Sequence, residues 1–224
     1  METKDNYKEK NESGHLMKGV VYPKLDLAEA ARFHYFSGMF EKIGNLEGDI
    51  VECGVGWGRS LLYLSLLSRL ESKGRNIWGF DSFEGFPEPA NEDVSPRDPK
   101  KGEWKTDIAS VYQQLKESGL DKLFIDTQIT LIKGFFEDSL SKYTGNKIAL
   151  LHADADLYKS YKTIYDALFE RVVPNGIIMF DEYMNTFEYE KWPGAKKAID
   201  ETFLKNCELK RDTSSGKYYA VKKK

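Results

Sequence analysis

The 224-residue chain is predicted to be an α/β protein, a doubly wound, mostly parallel sheet that finishes in an antiparallel hairpin. Three observations predict it. Short apolar runs ending in an acid recur, at Ile50-Val51-Glu52 and again at Ile77-Trp78-Gly79-Phe80-Asp81. Stretches with helical apolar spacing alternate with those runs. A glycine cluster follows the first run at once, the strand, tight turn and helix that open a βαβ unit.

The chain is polar up to Val20-Val21-Tyr22-Pro23, after which Leu27, Ala30, Ala31, His34 and Met39 space out a helix over 26–43. Residues 1–45 thus read as an N-terminal helical extension and 46–224 as the main domain. Residues 48–53 form the first strand and 61–70 a leucine-rich helix, and 76–81 repeat the buried strand ending in an acid. Pro87, Pro89, Pro96 and Pro99, mixed with charged residues, forbid helix or inner strand, so 86–105 is a long loop, read as a lid over a binding site. Ile108, Val111, Tyr112 and Leu115 mark the next helix, followed by strands at 130–134 and 147–154. The apolar stripe from Tyr161 to Val172 is a helix, stopped by Pro174-Asn175-Gly176 before a fifth strand at 177–180. Ala195, Ala198, Ile199 and Phe203 give the last helix face. Residues 207–211 and 218–221 pair around Thr213-Ser214-Ser215-Gly216, and the lysines at 222–224 form a solvated tail.

Composition narrows the function. The net charge of -3 and mean hydropathy of -0.55 are not those of a nucleic-acid-binding protein. No apolar run approaches the roughly 20 residues that span a bilayer, and Met1 to Lys10 do not resemble a signal peptide. Cys53 and Cys207 lie far apart and outside any C-x-x-C pair, which excludes a disulfide framework and the common zinc spacings and fits a cytoplasmic protein.

In open α/β sheets ligands bind beyond the carboxyl ends of the strands, so the residues after each strand carry the chemistry. Glu52-Cys53-Gly54-Val55-Gly56-Trp57-Gly58-Arg59-Ser60 follows the first. A dinucleotide fingerprint needs its third glycine at position 59, where this chain has Arg59, so NAD is disfavoured. G-x-G-x-G with Glu52 two residues ahead suits S-adenosylmethionine, whose ammonium needs an acceptor. Asp81, at the end of the second strand, is placed to accept ribose hydroxyls. Asp154 and Asp156 follow the fourth strand, and Asp181 and Glu182 follow the fifth. Oxygen ligands clustered on one rim suit Mg²⁺ or another hard cation, with Asp154, Asp181 and Glu182 as the expected set. Helix capping is the competing role for Asp156 and Asp181. The three histidines (His15, His34 and His152) form no metal spacing, and His152 reads as a hydrogen-bonded core residue.

Five motifs in order, Gly48-Asp49-Ile50-Val51-Glu52-Cys53-Gly54-Val55, Gly79-Phe80-Asp81-Ser82-Phe83-Glu84-Gly85-Phe86-Pro87, Lys133-Gly134-Phe135-Phe136-Glu137-Asp138-Ser139-Leu140, Leu151-His152-Ala153-Asp154-Ala155-Asp156-Leu157-Tyr158 and Asp181-Glu182-Tyr183, resemble those of the macrocin O-methyltransferase family. The resemblance runs over about residues 48 to 203 and implies a class I methyltransferase (Rossmann-like) fold, S-adenosylmethionine and a divalent metal, Mg²⁺ or Mn²⁺. It also implies a sugar or glycoside hydroxyl as acceptor. The expected donor site takes Glu52, Gly54, Gly58 and Ser60 from the first turn, Asp81, Ser82 and Phe83 from the second, and Gly134 and Phe136 from the third. Asp154 is expected both to bind the metal and to take the acceptor's proton. The family usually has Asp-Asp-Tyr where this chain has Asp181-Glu182-Tyr183. A catechol-type O-methyltransferase, with Trp104, Trp192 and Tyr183 around a planar acceptor, and a catalytically silent donor-binding protein are the rival readings. The sequence leaves the acceptor and any homo-oligomer open.

Overall fold

The computed structural model describes residues 26–183 and 188–223, so the apolar Val20-Val21-Tyr22-Pro23 stretch lies outside the described residues. Helix α1 (Leu27–Ile43) starts where Asp26 accepts a hydrogen bond from the Glu29 N–H at 2.9 Å. Strand β1 (Asp49–Cys53), helix α2 (Arg59–Glu71) and strand β2 (Ile77–Asp81) make the first βαβ unit. Helices α3 (Ile108–Glu117) and α4 (Lys122–Gln128) lead into β3 (Ile129–Lys133), and α5 (Phe136–Ser139) precedes β4 (Ile148–Ala153). Helix α6 (Tyr158–Leu168), β5 (Val172–Phe180), α7 (Glu188–Lys191), α8 (Pro193–Glu201), β6 (Cys207–Arg211) and β7 (Tyr218–Lys222) complete the chain.

The seven strands form one sheet in the order β3-β2-β1-β4-β5-β7-β6. Strands β1 to β5 pair in parallel and β7 pairs antiparallel with both β5 and β6. Strand order reverses between β1 and β4, which opens a crevice beyond their carboxyl ends. Successive strand residues enter opposite layers, as the pleat requires. Val51, Leu151 and Ile178 meet α6 and α8 in one core, whereas Ile50, Leu150 and Ile177 meet α1 and α2 in the other. Both faces are covered, which is why these strands read as unbroken apolar runs. Helix α1 belongs to the second core through Tyr35, Phe36, Met39, Phe40 and Ile43.

Three features depart from the sequence expectations. Pro174-Asn175-Gly176 does not stop a helix: α6 ends at Leu168, a single 3-10 turn follows, and β5 begins at Val172. The register jumps from Ile148↔Val172 to Leu150↔Ile177, so residues 173–176 bulge opposite Ala149, with Asn175 at φ 65°. A bulge accommodates the missing proline N–H that an inner ladder cannot. Helix α4 was not anticipated; Asp121 caps it by accepting from Phe124 N–H at 2.8 Å. The short α5 and α7 were also not anticipated.

The proline-rich loop holds one 3-10 turn, Asn91–Asp93, and is tied to the body. Asp93 is buried and accepts from the N–H groups of Ala90 (2.7 Å) and Tyr158 (2.8 Å), so it caps α6 from a distance. Phe86 and Gly102–Glu103 pair through their backbones, and Gly85 sits so close beneath them that a Cβ there would lie 2.3 Å from the Glu103 carbonyl oxygen. Among the described residues no helix is long and apolar enough to cross a membrane.

Candidate active site

The crevice at the strand-order reversal is a cavity of about 390 Å³. Its floor is the turn after β1. The register Glu52↔His152 and Cys53↔Ala153 brings this turn against the end of β4, and Asp154 N–H donates to the Cys53 carbonyl at 2.9 Å. Gly54, at φ 97°, is required here by the protein itself: a Cβ would lie 1.7 Å from the Asp154 carbonyl oxygen. Gly56, by contrast, has open space where its Cβ would be, so bare backbone faces the cavity.

Asp81 locks that turn. Its Oδ2 accepts from Gly56 N–H at 2.8 Å and its Oδ1 from Phe83 N–H at 2.6 Å. A carboxylate has about four lone-pair sites, so each oxygen can still accept a ligand hydroxyl. Of the nine expected donor-site residues, Gly54, Ser60, Asp81, Ser82 and Phe136 line the cavity. The other four do not. Glu52 is wholly buried behind the turn, with Oε1 2.9 Å from His152 Nδ1 and Oε2 unpartnered, and burial raises its pKa. Gly58 caps α2 against Val111 and Gln114 of α3, each 2.9 Å from where a Cβ would be. Phe83 packs in the core with α1 and α2. Gly134 donates to the Asp81 carbonyl at 2.9 Å and so turns Phe135 and Phe136 into the cavity. Sequence reasoning missed Arg32, Trp57, Arg59 and Phe135 as lining residues. Trp57 and Arg59 stand inside the glycine motif, where their side chains could have been noticed, whereas Arg32 reaches the cavity only because α1 packs beside α2.

A second cavity, about 630 Å³, opens on the acidic rim and is walled by Pro96, Arg97, Trp104, Lys191 and Trp192. Arg97 organises this wall. Its guanidinium lies 5.1 Å from the ring centres of both Trp104 and Trp192 and 6.0 Å from that of Phe86, and it is paired with Glu103 at 2.6 Å. The two cavities share Trp104, Asp154 and Asp156.

The carboxylates of the rim form two overlapping sets: Asp154 with Asp156 and Glu182, and Asp154 with Asp181 and His152. The expected trio of Asp154, Asp181 and Glu182 is thus divided between two sets that meet at Asp154. Glu182 is buried; the Tyr161 hydroxyl donates to its Oε2, its carboxyl lies within hydrogen-bond reach of that of Asp154, and its Oε1 has no other donor. Burial, then the charges of Asp181 and Glu182, push the Asp154 carboxyl well above the usual carboxylate range. Burial and the charges of Asp156 and Asp181 do the same to Glu182. Asp181 goes the other way: burial raises it, but the Lys217 ammonium seated on it outweighs that and holds it below its ordinary value. A buried oxygen short of donors among crowded carboxylates is an arrangement that a hard cation completes.

The family model for macrocin-O-methyltransferase (TylF) matches residues 12–212. A tetracenomycin-C rhamnosyl 4'-O-methyltransferase of Streptomyces olivaceus is 30% identical over 138 residues, 61% of this chain and 53% of that protein. The demethyldecarbamoylnovobiocin O-methyltransferase of Streptomyces niveus is 29% identical over 161 residues, 70% of this chain and 58% of that protein. The chain therefore spans little more than half the length of these relatives. The solved structure of the O-methyltransferase NovP superposes with a TM-score of 0.70 at 25% identity, covering 87% of this chain and 80% of that one. A seven-stranded sheet of this order, a glycine turn at its reversal point and an acidic rim beside it agree with that match, and the chain belongs to the macrocin-O-methyltransferase (TylF) family.

Proposed function

We propose that the protein transfers a methyl group from S-adenosylmethionine to a hydroxyl of a sugar or a glycosylated small molecule, aided by a divalent cation. The observation that carries this reading is the junction of the two cavities at Asp154, Asp156 and Trp104. A donor in the first cavity and an acceptor in the second meet there, and holding both in line supplies much of the rate.

The donor fits the first cavity by chemistry. Asp81 offers acceptors for the ribose hydroxyls, the Gly56 backbone leaves room for close approach, and Phe136 offers a face for the adenine. The rim also fits a hard cation, since the set of Asp154, Asp156 and Glu182 offers only carboxylate oxygens and Glu182 Oε1 is buried with no donor beyond the Asp154 carboxyl. Asp154, Glu182 and Asp156 or Asp181 would hold Mg²⁺ or Mn²⁺, and the chemistry supplied there is a lowered pKa for an alcohol that otherwise ionises near that of water, about 15.7. Asp154 takes the hydroxyl proton as the oxygen attacks the sulfonium methyl, and the demethylated donor leaves neutral at sulfur. Asp156, which lines both cavities, stands beside Asp154 for the same proton. The loop 86–105 acts as a lid whose Trp104 and Phe86 close over the junction. The Streptomyces olivaceus relative is a 4'-O-methyltransferase of a rhamnosyl-bearing tetracenomycin, which supports a glycoside acceptor. The setting is cytoplasmic, with Cys53 and Cys207 as free buried thiols.

The aromatic wall of Trp104 and Trp192 also favours a planar acceptor, so a catechol is the second reading. Incubation of the protein with donor, Mg²⁺ and a panel of sugars, glycosides and catechols, read by mass spectrometry, separates them. A CH₂ mass gain on a glycoside supports the proposal, and a gain on catechols alone rejects it.

A further inference from the structure

Lys217 approaches the acidic rim from a part of the sheet that carries none of the family's motifs. Strand β7 runs antiparallel to β5 with Met179 opposite Tyr219, so the β6–β7 turn lies level with the residue after β5, which is Asp181. The turn is braced. Asp212 accepts from Ser215 N–H at 2.7 Å and from the Ser214 and Ser215 hydroxyls at 2.6 and 2.7 Å, and its own N–H donates to the Lys217 carbonyl at 2.8 Å. Asp181 is equally fixed, its N–H donating to Ala153 at 3.1 Å. The Lys217 ammonium donates to Asp181 Oδ1 and, at 3.3 Å, to the Asp181 carbonyl, with only 15% of its side chain exposed. It is a cation built into the rim.

We propose that Lys217 is a resident counter-cation of the acidic cluster, which a divalent ion has to displace from Asp181 or bind against. This rests on the metal-assisted reading above and adds a determinant of the site's affinity. Two observations carry it: the Lys217 ammonium is seated, among the described residues, on Asp181 alone, while Asp154 is shared by the set that contains Asp181 and the set that contains Glu182, and Glu182 Oε1 is buried with no donor beyond the neighbouring Asp154 carboxyl. With Lys217 in place the Asp181 set is partly neutralised, and the incoming charge is drawn toward Glu182. Without it, Asp181 becomes a free ligand and the rim gains one negative charge.

The test uses the full chain and Mn²⁺ alone, titrated by electron paramagnetic resonance of the free ion. Lys217→Met and Lys217→Gln should bind Mn²⁺ about tenfold tighter than the unaltered protein, because a unit positive charge has gone from a partly buried site. Lys217→Arg, which keeps the charge, should stay within about twofold of it. Adding Asp181→Asn to Lys217→Met should abolish the gain, as expected if it passes through that carboxylate. Metal-free melting temperature should fall in Lys217→Met and be restored by saturating Mn²⁺, with Lys217→Gln as the check if the first variant folds poorly. Unchanged or weaker Mn²⁺ binding in both neutral variants would overturn the role of Lys217 while leaving the metal site standing. Absence of Mn²⁺ binding in every form would overturn the metal site itself.

Discussion

The donor side and the acidic side of the crevice are built on opposite plans, although they sit within a few residues of each other at the ends of β1 and β4. On the donor side the fold itself engages the central acid and shapes the turn: both Asp81 oxygens hold backbone N–H groups, and Gly54 fits against the Asp154 carbonyl as only glycine can. On the acidic side the fold gathers Asp154, Asp156, Asp181 and Glu182, neutralises Asp181 with Lys217, and leaves Glu182 Oε1 with no donor beyond the Asp154 carboxyl. Glu52 also keeps an orphaned oxygen, but it lies behind the turn and faces no cavity. One half of the site is thus shaped by the protein alone, while the other is arranged to be finished by something positively charged.

The largest effect should come from the acidic half. Asp154→Asn should lower turnover by about 10³-fold, as expected when a base and ligand is lost, and leave the affinity for S-adenosylhomocysteine unchanged. Steady-state kinetics beside calorimetry reads both. A parallel loss of donor affinity would show that the two halves are not separable.

Gly54→Ala should act on the fold before it acts on the ligand. Its Cβ would overlap backbone, which cannot swing aside, so a cost on the order of 3 kcal/mol is expected in urea unfolding. A variant as stable as the parent would mean that β1 and β4 do not converge as described. Asp81→Ala should weaken donor binding by about 1.5 to 3 kcal/mol, the range for hydrogen bonds to a charged group, and calorimetry against unchanged Mn²⁺ binding would sharpen the contrast between the halves.

The smallest effect belongs to the wall of the second cavity. Arg97→Ala removes a guanidinium packed on Phe86, Trp104 and Trp192, and should cost about 1 kcal/mol of stability while exposing the 86–105 loop to limited proteolysis. Donor affinity should not move. If it fell tenfold, the loop would belong to the donor side as well.

The sequence made the sheet legible because each inner strand is covered on both faces and so appears as a continuous apolar run; β1, β2 and β4 needed nothing more, and the terminal hairpin was marked by its Thr213-Ser214-Ser215-Gly216 turn. It misled at Pro174-Asn175-Gly176, since the same residues that end a helix also relieve a bulged strand, and only the register with β4 distinguishes the two. Asp81, Asp154 and Glu182 were legible as acids at strand ends. Arg32 and Lys217 were not, because their places depend on α1 packing beside α2 and on β7 pairing with β5, contacts between residues far apart in sequence. Glu52 illustrates the converse, a residue whose position in a motif was plain but whose side chain turns to His152 rather than to the cavity.

If the acidic half of the crevice needs a cation and the donor half does not, one chelated sample separates them. Donor binding by calorimetry and labelled-methyl transfer to a glycoside acceptor would be measured together in excess EDTA, then again after Mg²⁺ is restored. Donor affinity should be the same in both states, with no transfer under EDTA and transfer regained with Mg²⁺. Full transfer in excess chelator would contradict that need for a cation.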